Sequence, residues 1–301
     1  MTTGTREPPW GPSLGDGTQP GGPTVLRLML GAQLRRLREL KGMSRQHAGE
    51  MIHASEAKIS RLELGRIGQQ TREVADLLTL YGVQNGRQRD ALLSLARQAT
   101  TPDWWNRYSD VLPAWFETYI GLEQAASTIR SYQVHCVPGL FQTADYARAV
   151  IRLGYPNASM DEIDQRVDLR LARQDILTSA QGPMVWMVVD EVALRRPFGD
   201  PSVMQAQLGH LLDLSELPNV TLQTVPFHAG GYAAAGGPFI VLRFADPDVA
   251  DIVYLEQLTS ALYLDKPVDV DIYAMVIDRI SAAAISAAET RSLLVKLIEE
   301  Q

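Results

Sequence analysis

Apolar positions recur at two different spacings along this chain, and the change between them divides it in two. Leu26, Leu30, Leu34 and Leu37 fall at three- and four-residue steps on one helical face, with Arg35, Arg36 and Arg38 opposite. Gly42 ends that helix. Ser44 is a good N-cap for a short helix over Arg45 to Ile52. Ser55 caps another over Glu56 to Leu64, which stops at Gly65. Thr71 caps a fourth segment carrying Val74, Leu77, Leu78 and Tyr81, and a fifth runs from about Arg87 to Gln98. Five short helices predict a compact all-α domain over residues 25–99. Residues 100–113, with Pro102 and Pro113 near their ends, read as a connector.

The remainder, residues 114–301, mixes both periods. Ala114 to about Tyr132 reads as helix, VPGLFQT as a turn, and Thr143 caps a helix running from Ala144 to Leu153. Asp161 to about Thr178 is helical and mixed in charge. After Gly182 the segment PMVWMVVDE is nearly all apolar, as in a buried strand. A helix over Ser202 to Leu217 precedes strands at Val220–Val225, Phe239–Phe244, Asp251–Leu255 and Ala261–Leu264. Two helices close the chain, Asp269 to Ala283 and one capped by Ser286 with Glu289 at N3. The expected fold class is therefore multi-domain: an all-α domain of five short helices, then a mixed α+β domain. Residues 1–24, rich in Gly and Pro without periodicity, predict a disordered arm.

Composition is ordinary for a globular chain, with 46% hydrophobic and 21% charged residues. The single cysteine, Cys136, excludes an intramolecular disulfide and a thiol-only metal site, which fits a reducing cytoplasm. The first residues carry no apolar run of a signal peptide, and no stretch approaches the roughly 18 apolar residues of a membrane span. A cytoplasmic, nucleoid-associated protein without membrane, metal or cofactor is the expectation. Charge adds more. The chain carries −7 overall, but ten basic and six acidic side chains between Val25 and Val83 give that stretch +4, leaving −11 elsewhere. A basic module on an acidic body suits a DNA reader with a separate regulatory domain.

The segment SRQHAGEMIHASEAKISRLELGR carries the chemistry. A helix-turn-helix needs a small residue inside its first helix, a tight turn, and apolar residues facing inward on the second. Ala48 and Gly49 are small, and Ile59 and Leu62 face inward. Together with LRRLREL, this segment resembles the phage-repressor-like, XRE-type family over about Arg27 to Val83. Two positions depart from its pattern: Ala48 stands where Leu is usual, and His53 stands where the turn usually has Gly. The resemblance implies that Glu56, Ala57, Lys58, Ser60 and Arg61, behind the cap Ser55, form the exposed side of a helix entering the major groove of double-stranded DNA. Arg61 suits a bidentate pair to guanine, Glu56 an acceptor for cytosine, and Ala57 a thymine methyl. Ser44, Arg45 and Lys58 suit phosphates.

The second half resembles a domain of unknown function that follows this helix-turn-helix in actinobacterial regulators of the WhiJ-like or Scr1-type group. The segments YIGLEQAASTIRSY, VPGLFQTADYARAVI, RVDLRLARQDIL, VVDEVALRRPFG, LPNVTLQTVPF, GGPFIVLRF, IVYLEQLTSALYL and AAISAAETRSLL carry the resemblance in order. It implies an antitoxin-like regulator paired with a small acidic protein encoded nearby, and the helix-turn-helix implies a homodimer. Glu123 and Arg130, seven apart, would share a helical face within a salt-bridge network that also takes in Arg148, Arg170 and Arg173. An effector or partner pocket lined by Glu123, Gln142, Tyr146 and Arg173 is the functional alternative. Trp104 and Trp105 are expected to pack the domains together. Asp190, Glu191 and His228 lie at strand ends, but no nucleophile elbow, spaced His pair or phosphate loop accompanies them, so no enzymatic activity is expected.

Overall fold

The computed structural model describes residues 23–300, apart from 101–102, 232, 234–235 and 247–248. The arm expected over residues 1–24 lies outside the described residues except for Pro23 and Thr24, which open the first helix.

Five helices make the N-terminal domain: α1 (Pro23–Leu40), α2 (Arg45–Met51), α3 (Glu56–Glu63), α4 (Thr71–Leu80) and α5 (Gly86–Gln98). Their apolar faces converge on Leu30, Leu34, Ala48, Ile59, Leu62, Val74, Leu77 and Leu78. Glycines in the left-handed region stop three of them, at Gly42, Gly65 and Gly82. The fourth helix starts one residue differently from expectation. Gln70 holds the cap position without a side-chain bond, and Thr71 is the first helical residue.

The C-terminal domain is a six-stranded mixed sheet with helices on both faces. Its elements are α6 (Ala114–Ala125), β1 (Thr128–Gln133), α7 (Ala144–Gly154), α8 (Met160–Arg173), β2 (Met184–Asp190), α9 (Glu191–Arg195), α10 (Pro201–Leu214), β3 (Val220–Val225), β4 (Phe239–Arg243), β5 (Ile252–Glu256), β6 (Ala261–Leu264), α11 (Pro267–Ala283) and α12 (Ala287–Glu299). The strand order is β3-β2-β1-β4-β5-β6. The first three strands run parallel, joined by helical crossovers, and β4 to β6 continue as antiparallel neighbours. One face buries Ile129, Met187, Leu222 and Leu242 under α6, α10 and α12. The other buries Tyr132, Val188, Val241 and Val253 under α11.

The helix expected from Ala114 to Tyr132 ends at Ala125, and its last third is the central strand β1. That strand alternates burial and satisfies its backbone against β2 on one side and β4 on the other. Arg130 therefore does not share a helical face with Glu123. It donates to Asp278 of α11 at 2.6 Å and lies over the Trp186 ring at 5.2 Å. The capping box at Ser286 and Glu289 forms as expected, with bonds of 3.2 and 2.9 Å. Asp190 caps α9, and Glu191 accepts from Phe227 N at 2.9 Å and Arg195 Nε at 2.6 Å, so both strand-end carboxylates hold local structure.

The connector is packed. Trp105, Tyr108, Val111 and Leu112 cluster with Ile120 of α6 and Leu169 of α8, so Trp105 anchors the connector to the C-terminal body. The two domains meet along α1. Leu28 belongs to the sheet-domain core rather than to its own. Thr24 fits against Gly121, where a Cβ would overlap the threonine side chain.

Candidate nucleic-acid interface

The helix-turn-helix is built by four local devices. The Ser44 hydroxyl accepts from His47 N at 3.1 Å and starts α2. Gly49 sits where α2 crosses the next segment: a Cβ there would lie 2.7 Å from the Ala54 carbonyl oxygen, closer than packed atoms come. His53, where the family pattern usually has Gly, takes the left-handed turn position with φ 56°. The Ser55 hydroxyl then accepts from Lys58 N at 3.1 Å and starts α3.

The inward face of α3 is held firmly. Ile59 and Leu62 are fully buried against α1, whose Gly31 faces the Leu62 and Glu63 carbonyls so closely that no Cβ would fit. Glu63 is buried at the C-terminal end of α3, where the helix dipole disfavours a carboxylate. Two arginines compensate it. Arg38 reaches Glu63 through Nε at 2.5 Å and Nη2 at 3.0 Å, and Arg45 through Nε at 2.9 Å. Hydrogen bonding to Glu63 raises the Arg38 pKa above its ordinary value, against the opposing effect of burial. Arg38 was expected on the solvent face; the buried carboxylate pulls it inward instead.

The outward face of α3 is open. Ser55, Glu56, Ala57 and Arg61 are exposed, while Lys58 and Ser60 are half-buried. Arg61 makes no side-chain hydrogen bond or ion pair among the described residues. Lys58 pairs with Glu73 of α4, so a phosphate would have to draw it from that partner. Arg45 keeps a partly exposed guanidinium while serving Glu63. Beside Lys58, the start of α4 presents exposed Gln70 and Arg72 and has no side-chain cap. Sequence reasoning missed these two, although the absence of Ser, Asp or Asn before Thr71 was a legible signal.

The four residues named for a pocket in the second half do come together. Arg173 clasps Glu123 with bonds of 2.9 and 2.8 Å, and the Tyr119 hydroxyl donates to the same carboxylate at 2.5 Å. The guanidinium also lies over the Phe116 and Tyr119 rings, at 4.9 and 5.3 Å. Gln142 donates to Val137 O and accepts from Arg170, each at 2.6 Å, and the Tyr146 hydroxyl accepts from Val137 N at 3.2 Å. All four side chains are buried, in two bonded sets: Glu123 with Arg173, and Gln142 with Tyr146 through the Val137 backbone of the VPGLFQT corner. Burial lowers the Arg170 guanidinium to about 10, reinforced by neighbouring Arg173. Of the expected network, Arg148 pairs with Asp164 and Arg130 lies elsewhere.

One further contact was invisible in the sequence. Arg66, three residues beyond α3, crosses to the sheet domain and donates to Tyr263 O at 2.9 Å. Its guanidinium lies over the Tyr263 ring at 5.1 Å and 4.0 Å from Asp265. Burial lowers its pKa, with Asp265 opposing. The Tyr263 hydroxyl donates to Trp115 O at 2.5 Å, and its ring packs on Tyr254, which stacks on Tyr119 at 4.2 Å.

Two capped helices crossing at Gly49, with the outer face of the second left open, define a helix-turn-helix DNA-binding module. The family profile for a helix-turn-helix domain matches residues 29–92. The profile for a domain of unknown function, DUF5753, matches residues 116–296, more than half of the chain, and the protein belongs to that family. No curated protein and no solved structure matches it. Among the described residues, no helix is long and apolar enough to cross a membrane.

Proposed function

We propose that this protein is a sequence-specific, DNA-binding transcription regulator of the XRE type that acts as a homodimer. One observation carries the reading. Glu56, Ala57 and Arg61 stand exposed on a helix whose opposite side is locked into the core, and the large C-terminal body leaves that face uncovered. Seated in a major groove, α3 directs Arg61 at a guanine edge, with Glu56 and Ala57 on neighbouring bases. Ser44, Arg45, Ser55, Lys58 and Ser60 hold the flanking phosphates. The C-terminal domain sets the module's placement and carries regulation. The small partner protein of an antitoxin-like pair rests on the family resemblance alone.

The test is binding of the full chain to DNA upstream of its own gene, measured by fluorescence anisotropy against a scrambled duplex. Affinity should favour the native sequence and fall steeply with salt. Arg61→Ala should cost about 1–3 kcal/mol on the preferred sequence and little on the scrambled one. Lys58→Ala should weaken both alike. Equal affinity of the wild type for the two duplexes would overturn the proposal.

A further inference from the structure

Helix α11 is apolar on two opposite sides. Its inner side, Val270, Ile277 and Ile280, is buried against the sheet. Its outer side carries Val268, Ile272 and Met275, which are 64%, 51% and 49% exposed. A surface helix normally turns one apolar face inward, yet α11 carries a second apolar face, and among the described residues nothing covers it. The outer residues follow steps of four and three, the spacing of a helix–helix seam, and the next position in that series is Arg279. Arg279 is exposed and makes no ion pair among the described residues. At the other end of the same face, Asp271 is exposed and equally unpaired.

We propose that this face is the homodimer interface, α11 packing antiparallel on α11 of a second copy. A twofold axis between Ile272 and Met275 sets each of these against the other in the partner. The same axis brings Arg279 of each copy beside Val268 and the acidic first turns of the other. The surface is then self-complementary in shape and charge, which a twofold interface requires of a single patch. An acidic partner protein fits this face less well, because Asp271 and Asp278 flank the apolar stripe and Asp278 is already paired with Arg130. The homodimer belongs to the function proposed above, but the interface is tested without DNA, so the two can fail separately.

The experiment is sedimentation velocity on the full chain, with the melting temperature of every variant as a fold control. Wild type should sediment as a dimer. Ile272→Glu combined with Met275→Glu should give a monomer that still melts cooperatively, lower than the wild-type dimer only by the lost association. Arg279→Glu and Asp271→Arg should each raise the dimer dissociation constant about tenfold. Mixing these two variants should restore it, because every cross-seam pair in the heterodimer is again of opposite sign. A monomeric wild type would overturn the proposal. So would a dimer that survives the double glutamate variant, or charge variants that mixing fails to rescue.

Discussion

Glutamine in place of Glu123 changes one atom type and one charge at a site closed to solvent. In the native chain the Arg173 guanidinium is buried, and its desolvation alone would lower its pKa. The Glu123 carboxylate and its two hydrogen bonds reverse that and raise it. Glu123→Gln withdraws the compensating charge and sets an NH2 group against one of the guanidinium N–H donors. The Phe116 and Tyr119 rings hold the cation from the sides and give it no route to water. Breaking a buried pair in this way costs about 3–5 kcal/mol. For a domain of this size, each kcal/mol moves the melting temperature by about 2–4 °C, so a fall of about 6–20 °C is expected. Circular-dichroism melting of the full chain measures it. Replacing both partners, Glu123→Leu with Arg173→Met, should recover most of the loss, because no charge is left buried alone. A single variant melting within about 2 °C of wild type would refute the idea that this pair braces the domain.

Three further outcomes follow from the geometry. His53→Gly should stabilise the helical domain by roughly 1 kcal/mol, since glycine takes the left-handed turn without the steric cost that histidine bears there; urea midpoints check it. Arg66→Ala should lower the unfolding free energy of the same domain by about 1–3 kcal/mol through loss of the Tyr263 ring contact and carbonyl bond, and an unchanged midpoint would show that the contact contributes nothing. Burial holds the His210 imidazole below its ordinary pKa, with Asp213 opposing. Stability should therefore be full above about pH 6.5 and fall as pH drops, because the unfolded chain takes up that proton first; His210→Gln should flatten this slope.

What the sequence made legible was local. The caps Ser44 and Ser55, the glycine stops and the left-handed His53 are decided within a few residues, and each falls where the pattern placed it. What stayed hidden was decided at long range. Strand β1 follows α6 with no Gly or Pro between Ala125 and Thr128, so the helical pattern appeared to run on. Its strand character comes from pairing with β2 and β4, far away in the chain. Arg38 looked like a surface arginine because Glu63, its reason for turning inward, is 25 residues distant. The Arg66 contact spans 197 residues, and no local pattern announces it. The Glu123 and Arg173 pairing was anticipated in kind, since both were placed in one network, but its enclosure by aromatic rings was not.

A reading head on a slack tether can meet its target at many angles. Here the segment behind α3 is bolted to the body at Tyr263, two residues before Asp265 and four before the start of α11. The heading of the reading helix is therefore written partly in β6, outside the module that does the reading. A change in β6 therefore reaches α3 without touching it, through Arg66, while Leu28 and Thr24 tie α1 to the same body.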